Sequence, residues 1–174
     1  SGHTRIYQYS SGSWSQLGLD IDGEAAGDYS GYSVSLSSDG SIVAIGAYGN
    51  DDNAIFGSDS GHTRIYQWNG SAWVKRGSDI DGRYAYDYSG RSISLSSDGS
   101  TVAIGAYGYD NGTNGAGSGH TRIYAWNGSS WVQRGSDIYG EAAYDRSSYS
   151  GVSLSSDGSI VAIGAGSNDG NGSD

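Results

Sequence analysis

Acidic side chains supply most of the chemistry this chain can offer. Nineteen Asp and Glu stand against nine Lys and Arg, and many fall in recurring patterns: "DIDG" at 20–23 and 79–82, "NDDN" at 50–53, and single aspartates nearby. Oxygen-rich loops of this kind suit calcium, which takes several carboxylate and carbonyl ligands. The candidate ligand-binding residues are Asp20, Asp22, Asp28, Asp51, Asp52, Asp59, Asp79, Asp81, Asp87 and Asp110. Calcium is the one cofactor these loops admit, with Asp51, Asp52 and Asp59 as its candidates, although DxDG alone is far from a complete EF-hand loop. His3, His62 and His120 share one repeat position and invite a metal reading. Each lacks a second His nearby, so packing at a strand start is the expectation. Acid–base catalysis needs two carboxylates in contrasting environments at a set separation, and no pair is marked. With no Cys, no nucleophile-elbow serine and no phosphate loop, the chain reads as non-enzymatic.

The elements that hold these residues must be built from an unusual composition. Ile, Val, Leu and Phe make up only 26 of 174 residues and the net charge is −10, a combination normally found in disordered chains. Fifteen Tyr and five Trp replace the missing aliphatic surface, and the aliphatics recur in register, which argues for a folded domain. An acidic chain with a single Lys, Lys75, is a poor partner for nucleic acid or anionic lipid. No apolar run is long enough to span a membrane as a helix. The chain has no Met and opens flush on a repeat, so it reads as a processed or excised piece.

"SGHTRIY" occurs at 1–7, 60–66 and 118–124, dividing one repeat domain, 1–174, into copies 1–59, 60–117 and 118–174. Such a period marks stacked or radial units. Each copy reads as four strands, exemplified by 61–68, 72–78, 91–97 and 101–107. Asn-Gly and Asp-Gly give tight turns within the two hairpins. "TVAIGAY" (101–107) is almost continuously apolar, as a strand buried on both faces would be. The third copy carries one extra residue in 145–158, which predicts a bulge or longer loop. Three four-stranded repeats without helix signals fit an all-β fold, either β-propeller blades or a β-trefoil.

The stretch "YSGYSVSLSSDGSIVAIGAY" (29–48) and its two relatives resemble FG-GAP repeats, the blades of integrin-type propellers. Tyr-Ser-Gly here replaces the family's Phe-Gly. The resemblance implies that "SVSLSS" is the innermost strand of a blade, followed outward by "IVAIGA", "HTRIYQ" and the Trp-containing strand. The copies are then circularly permuted: residues 1–18 lack inner partners, and the strands near 152–165 lack outer ones. Three blades are too few for a ring, so the resemblance implies completion by another copy as a dimer or filament, or by further repeats of a longer chain. The family's calcium hairpin is reduced here to "SSDGS", keeping only Asp39, Asp98 and Asp157, so that site is not carried over.

This strand order puts the short turns on one rim and the long connections, with the other 16 carboxylates, on the opposite rim. One reading is a solvated acidic surface that maintains solubility. The sharper reading is an extracellular or cell-surface module for adhesion or ligand binding, taking a protein or glycan on this acidic long-loop face. Two alternatives stand beside it: a structural subunit of a fibre or surface layer, and a multivalent lectin using repeated aromatics. The pairs Tyr9/Trp14, Trp68/Trp73 and Trp126/Trp131 are expected to pack across hairpins or between blades. Asn69, Asn111, Asn127 and Asn171 each open a glycosylation sequon, and turn chemistry alone also accounts for them.

Overall fold

The computed structural model describes residues 1–51, 57–108 and 114–169. These residues contain sixteen strands and no helix. The first repeat supplies β1 (His3–Thr4), β2 (Tyr7–Ser10), β3 (Ser13–Gln16) and β4 (Ile21–Asp22), then β5 (Ser33–Leu36) and β6 (Ile42–Ala47). The second gives β7 (His62–Trp68), β8 (Trp73–Lys75), β9 (Ile80–Asp81), β10 (Ser92–Leu95) and β11 (Thr101–Ala106). The third gives β12 (His120–Trp126), β13 (Trp131–Gln133), β14 (Ile138–Tyr139), β15 (Gly151–Leu154) and β16 (Val161–Gly164).

Two antiparallel blades are complete. One runs β5-β6-β7-β8 with β9 also on β7, and the other runs β10-β11-β12-β13 with β14 also on β12. This is the order expected from the sequence, and it displaces the trefoil. The outermost strand is shorter than the run expected at 72–78: it is β8 alone, ending at Lys75 ahead of Gly77, which turns to φ +85° and leaves the extended conformation, and the chain returns to β7 beyond that run as β9. Half-blades flank the two complete ones: the outer hairpin β2-β3 with the β1-β4 pair, and the inner pair β15-β16.

Strand periodicity explains how the apolar runs are used. In β6, Val43 and Ile45 point to one face and pack with Ile6 and Ile21 of the preceding half-blade. Ile42 and Ala44 point to the other and join Ile93, Leu95, Val102 and Ile104 of the next blade. The core therefore lies between blades, and each blade is a wall of two cores. Inner strands are stitched across the gap by serine: Leu95 N donates to Ser35 Oγ at 3.0 Å, and Leu154 N to Ser94 Oγ at 3.0 Å. The extra residue of the third copy falls between Tyr149 and Val152, where Gly151 takes φ +143°. No helix among the described residues is long and apolar enough to cross a membrane.

Candidate binding face

The two rims of the molecule are chemically distinct. On the short-turn rim, Asp39, Asp98 and Asp157 close identical turns. Ser37 Oγ donates to Asp39 at 2.7 Å, Ser96 Oγ to Asp98 at 2.7 Å and Ser155 Oγ to Asp157 at 2.6 Å, while backbone N–H groups of Ser41, Ser100 and Ser159 complete each set. These serine hydrogen bonds hold the carboxyls of Asp39 and Asp157 down at about 2, and lower that of Asp98, led there by the Ser100 N–H. Their lone pairs are committed to the turn. The Asn-Gly hairpins follow the same logic: Asn69 Oδ1 accepts from Ser71 N and Ala72 N, and Asn127 Oδ1 from Ser129 N and Ser130 N, each at 2.9 Å. Asn111 and Asn171 lie outside the described residues.

The long-loop rim is where the tyrosines gather. Tyr48 and Tyr107 leave the ends of β6 and β11 and stack on Tyr29 and Tyr88, with centroids 5.0 and 4.9 Å apart. Tyr32 and Tyr149 meet the same rings edge-on, at 4.8 and 4.9 Å. Between Tyr32 and Tyr149 sits the Arg91 guanidinium, 4.1 and 4.5 Å from their centroids. Burial raises the phenols of Tyr48, Tyr88 and Tyr107 above their usual range. Tyr29, Tyr86, Tyr88 and Tyr144 adopt φ of 56°, 62°, 54° and 67°, a region bulky side chains rarely enter. Three of these rings, Tyr29, Tyr86 and Tyr144, are more than half exposed. The sequence points to tyrosine as composition, in the Tyr9/Trp14 pair and among the residues of the long-loop rim, but not to stacked rings; the repeated "DYSG" and "AY" positions are the signal that locates this cluster.

The acidic candidates divide into several settings. Asp28 and Asp87 are buried loop clasps, as is Asp145: their carboxylates accept Ala25 N at 2.7 Å, Arg83 N at 2.9 Å and Ala142 N at 2.8 Å. Asp20 accepts from Gln16 Nε2 at 2.6 Å, and Asp79 pairs with Lys75 at 2.5 Å. Asp22 is exposed and Asp81 half-buried, each paired within its short strand, opposite His3 and His62. Asp51 accepts from Asp59 N, and burial with the neighbouring Asp51 charge pushes the Asp59 carboxyl up. Asp52 and Asp110 lie outside the described residues. The structure thus brings Asp51 and Asp59 together, and otherwise distributes the candidates along the rim.

Two of the three repeated histidines lie deep in the blades, and His3, on the free outer half-blade, is exposed. His62 and His120 are buried at the start of β7 and β12, and burial lowers both, His120 to about 3. Around His62, oxygen and nitrogen atoms of Glu24, His62 and Asp79 come within 4.8 Å of one another. That spacing could hold a cation, but Lys75 already neutralises Asp79, and Arg64 lies 3.4 Å from Glu24. At the equivalent place by His120, Arg83 replaces Glu24 and its guanidinium reaches Asp137 at 2.8 Å. The cluster is therefore an ion-pair seam between blades. His120 and Asp87, 3.8 Å apart, are each almost wholly inaccessible to a substrate.

The Trp pairs also pack between blades. Trp68/Trp73 and Trp126/Trp131 have centroids 5.4 Å apart, and Trp73 Nε1 donates to Leu17 O and Trp131 Nε1 to Arg76 O, both at 2.8 Å. Comparison with known families finds a match to the FG-GAP repeat over residues 20–66, which run from the foot of the first half-blade into β7. No curated protein sequence matches the chain. FG-GAP repeats point to a β-propeller-type binding module, are generally non-enzymatic and typically occur in extracellular or surface proteins.

Proposed function

We propose that this chain, with an FG-GAP repeat at 20–66, is an extracellular, non-enzymatic adhesion or ligand-binding module that receives its ligand on the long-loop rim. The observation that carries the reading is the tyrosine cluster of that rim, where Tyr29, Tyr86 and Tyr144 are held in costly backbone conformations with rings more than half exposed, Tyr29 lying on one of the two stacks. Strain of about 1–3 kcal/mol per residue persists only where the surroundings enforce it, and it concentrates at binding and switch sites. Flat aromatic faces among carboxylates suit a partner with apolar ring faces or C–H surfaces and neutral or positive polar groups.

A neutral glycan meets that description, which keeps the lectin reading open and moves it from the Trp pairs, already used in blade packing, to the tyrosines. The test is retention of the chain on immobilised neutral oligosaccharides and on a basic protein surface, with Tyr29→Ala, Tyr86→Ala and Tyr144→Ala combined. Retention that falls at least tenfold while the melting temperature holds supports the rim as the site. Retention on oligosaccharides alone makes the module a lectin, and retention indifferent to these substitutions sinks the proposal.

A further inference from the structure

We propose that the two half-blades are complementary parts of one blade, assembled between two copies of this chain. The inner pair β15-β16 of one copy receives the outer hairpin β1–β4 of the other, and two such exchanges close a six-bladed ring. The inference is independent of the ligand read for the long-loop rim.

The internal junctions specify what this intermolecular one must look like. In both complete blades the second strand pairs with the third in one register: Ala44 opposite Ile65 and Ala47 opposite His62, then Ala103 opposite Ile123 and Ala106 opposite His120. Transferred through the repeat, Ala162 stands opposite Ile6 of the second copy, and Ala165 opposite its His3. Among the described residues β16 pairs only with β15, so its outer edge is open to this addition.

Three further sets of side chains are matched and unfilled. Ile160 is 69% exposed, while Ile42 at the same repeat position is 5% exposed against the next blade. The surface it lacks exists at the opposite end of the chain, where Val34 and Leu36 are about half exposed and their counterparts Ile93 and Leu95 are buried. Trp14 is 69% exposed. At the internal junctions the Trp pairs sit against Gly18 and Gly77, where a Cβ would come within 2.9 Å of an indole carbon; the third glycine of the set, Gly135, has nothing within 4 Å. Finally, Glu141 is exposed at the position from which Glu24 reaches Arg64, and Arg5 is exposed at the position of Arg64. Each end of the molecule thus offers the apolar, aromatic or charged half that the other lacks, which is the requirement for a closed symmetric exchange. Six blades fall within the range of roughly four to eight that propellers use.

Light scattering of the 174-residue chain across a dilution series tests the pairing. A discrete particle of twice the 18.0 kDa chain mass is expected. Ala162→Glu, on a side chain exposed in the single copy, is expected to give a folded monomer. Arg5→Glu is expected to weaken the dimer at least tenfold, and adding Glu141→Arg to restore it. Register is read separately by thiols in a chain that has none. Ala162→Cys with Ile6→Cys forms a disulfide between copies, whereas Ala162→Cys with Tyr7→Cys does not, since one residue of slip points the side chain to the other face. Concentration-dependent growth beyond the dimer, with the same disulfide, would retain the strand pairing and overturn ring closure. A wild-type chain that stays monomeric at every concentration, or a disulfide indifferent to register, overturns the proposal.

Discussion

The seams around His62 and His120 occupy the same place in successive blades, yet they are wired with opposite charges. Both keep a buried His-Thr-Arg run whose arginine reaches back to the preceding blade: Arg64 Nη2 donates to Asp22 O at 2.7 Å, and Arg122 Nη2 to Asp81 O at 2.8 Å. Around that shared frame the first seam places Glu24 and Lys75, the second Arg83 and Gln133. The frame satisfies backbone groups that every blade must satisfy, so it repeats. The half-exposed charges only need to match each other, so they vary, and in varying they mark which blade faces belong together.

The frame is therefore where substitution should cost most. Arg122 is 2% exposed and holds Asp81 O, Ser89 Oγ and Tyr124 Oη at once. Replacing it by Ala leaves buried acceptors unpaired and is expected to lower unfolding free energy by about 3 kcal/mol, since each unsatisfied buried group costs about 1–3 kcal/mol. Arg5→Ala at the same repeat position, measured in the monomeric Ala162→Glu background, is expected to cost under about 0.5 kcal/mol, as exposed sites do. Equal losses in a denaturant titration would mean that the frame is not what distinguishes the seams from the free end.

Acid titration separates the two seams next. Desolvation pushes the Asp87 carboxyl up to about 6, against the opposing pull of the Arg83 N–H and the Arg122 charge. Between pH 4 and 6 the folded chain then holds a proton that the unfolded chain has released. The contribution of Asp87 is fully present below pH 4 and is lost as pH rises through 6, a change of about 3 kcal/mol for a shift of about two pKa values. His120 acts in the opposite sense: burial lowers it to about 3, so stability falls as pH drops below its unfolded value of 6.5. In Asp87→Asn only the histidine arm remains. The stability of the variant relative to the parent is expected to rise by about 3 kcal/mol from pH 4 to pH 7, and a difference flat in pH would show that Asp87 does not titrate in this window.

Much of this frame was legible in the sequence and little of the seams was. Alternating Ser with Ile or Leu in 91–97, the Asp-Gly and Asn-Gly turns and the "VAIGA" runs fix strand identity locally, and the repeated order fixes their pairing. The buried fate of His62 and His120 follows from strand position. Asp28 and Asp87 looked like ligand donors because composition cannot distinguish a carboxylate facing water from one turned inward to clasp its own loop. The Arg91 sandwich was equally hidden: it joins Tyr32 of one repeat to Tyr149 of another, and only the side-by-side arrangement of inner strands brings them together.

Charge exchange between the seams gives the smallest effect and the finest test of the comparison. Asp137 is 5% exposed and is balanced by Arg83, itself 41% exposed, with Gln133 Nε2 donating to it at 2.6 Å. Arg83→Glu should bring a second carboxylate beside it and cost about 1–2 kcal/mol, less than a fully buried broken pair because half of the arginine side already faces water. Adding Gln133→Lys recreates the Lys75–Asp79 contact of the first seam and should recover at least half of that loss. If the charges are interchangeable wiring on a constant frame, the double variant melts close to the parent. If recovery is absent, the frame around His120 is tuned to arginine, and the two seams differ in packing as well as in charge.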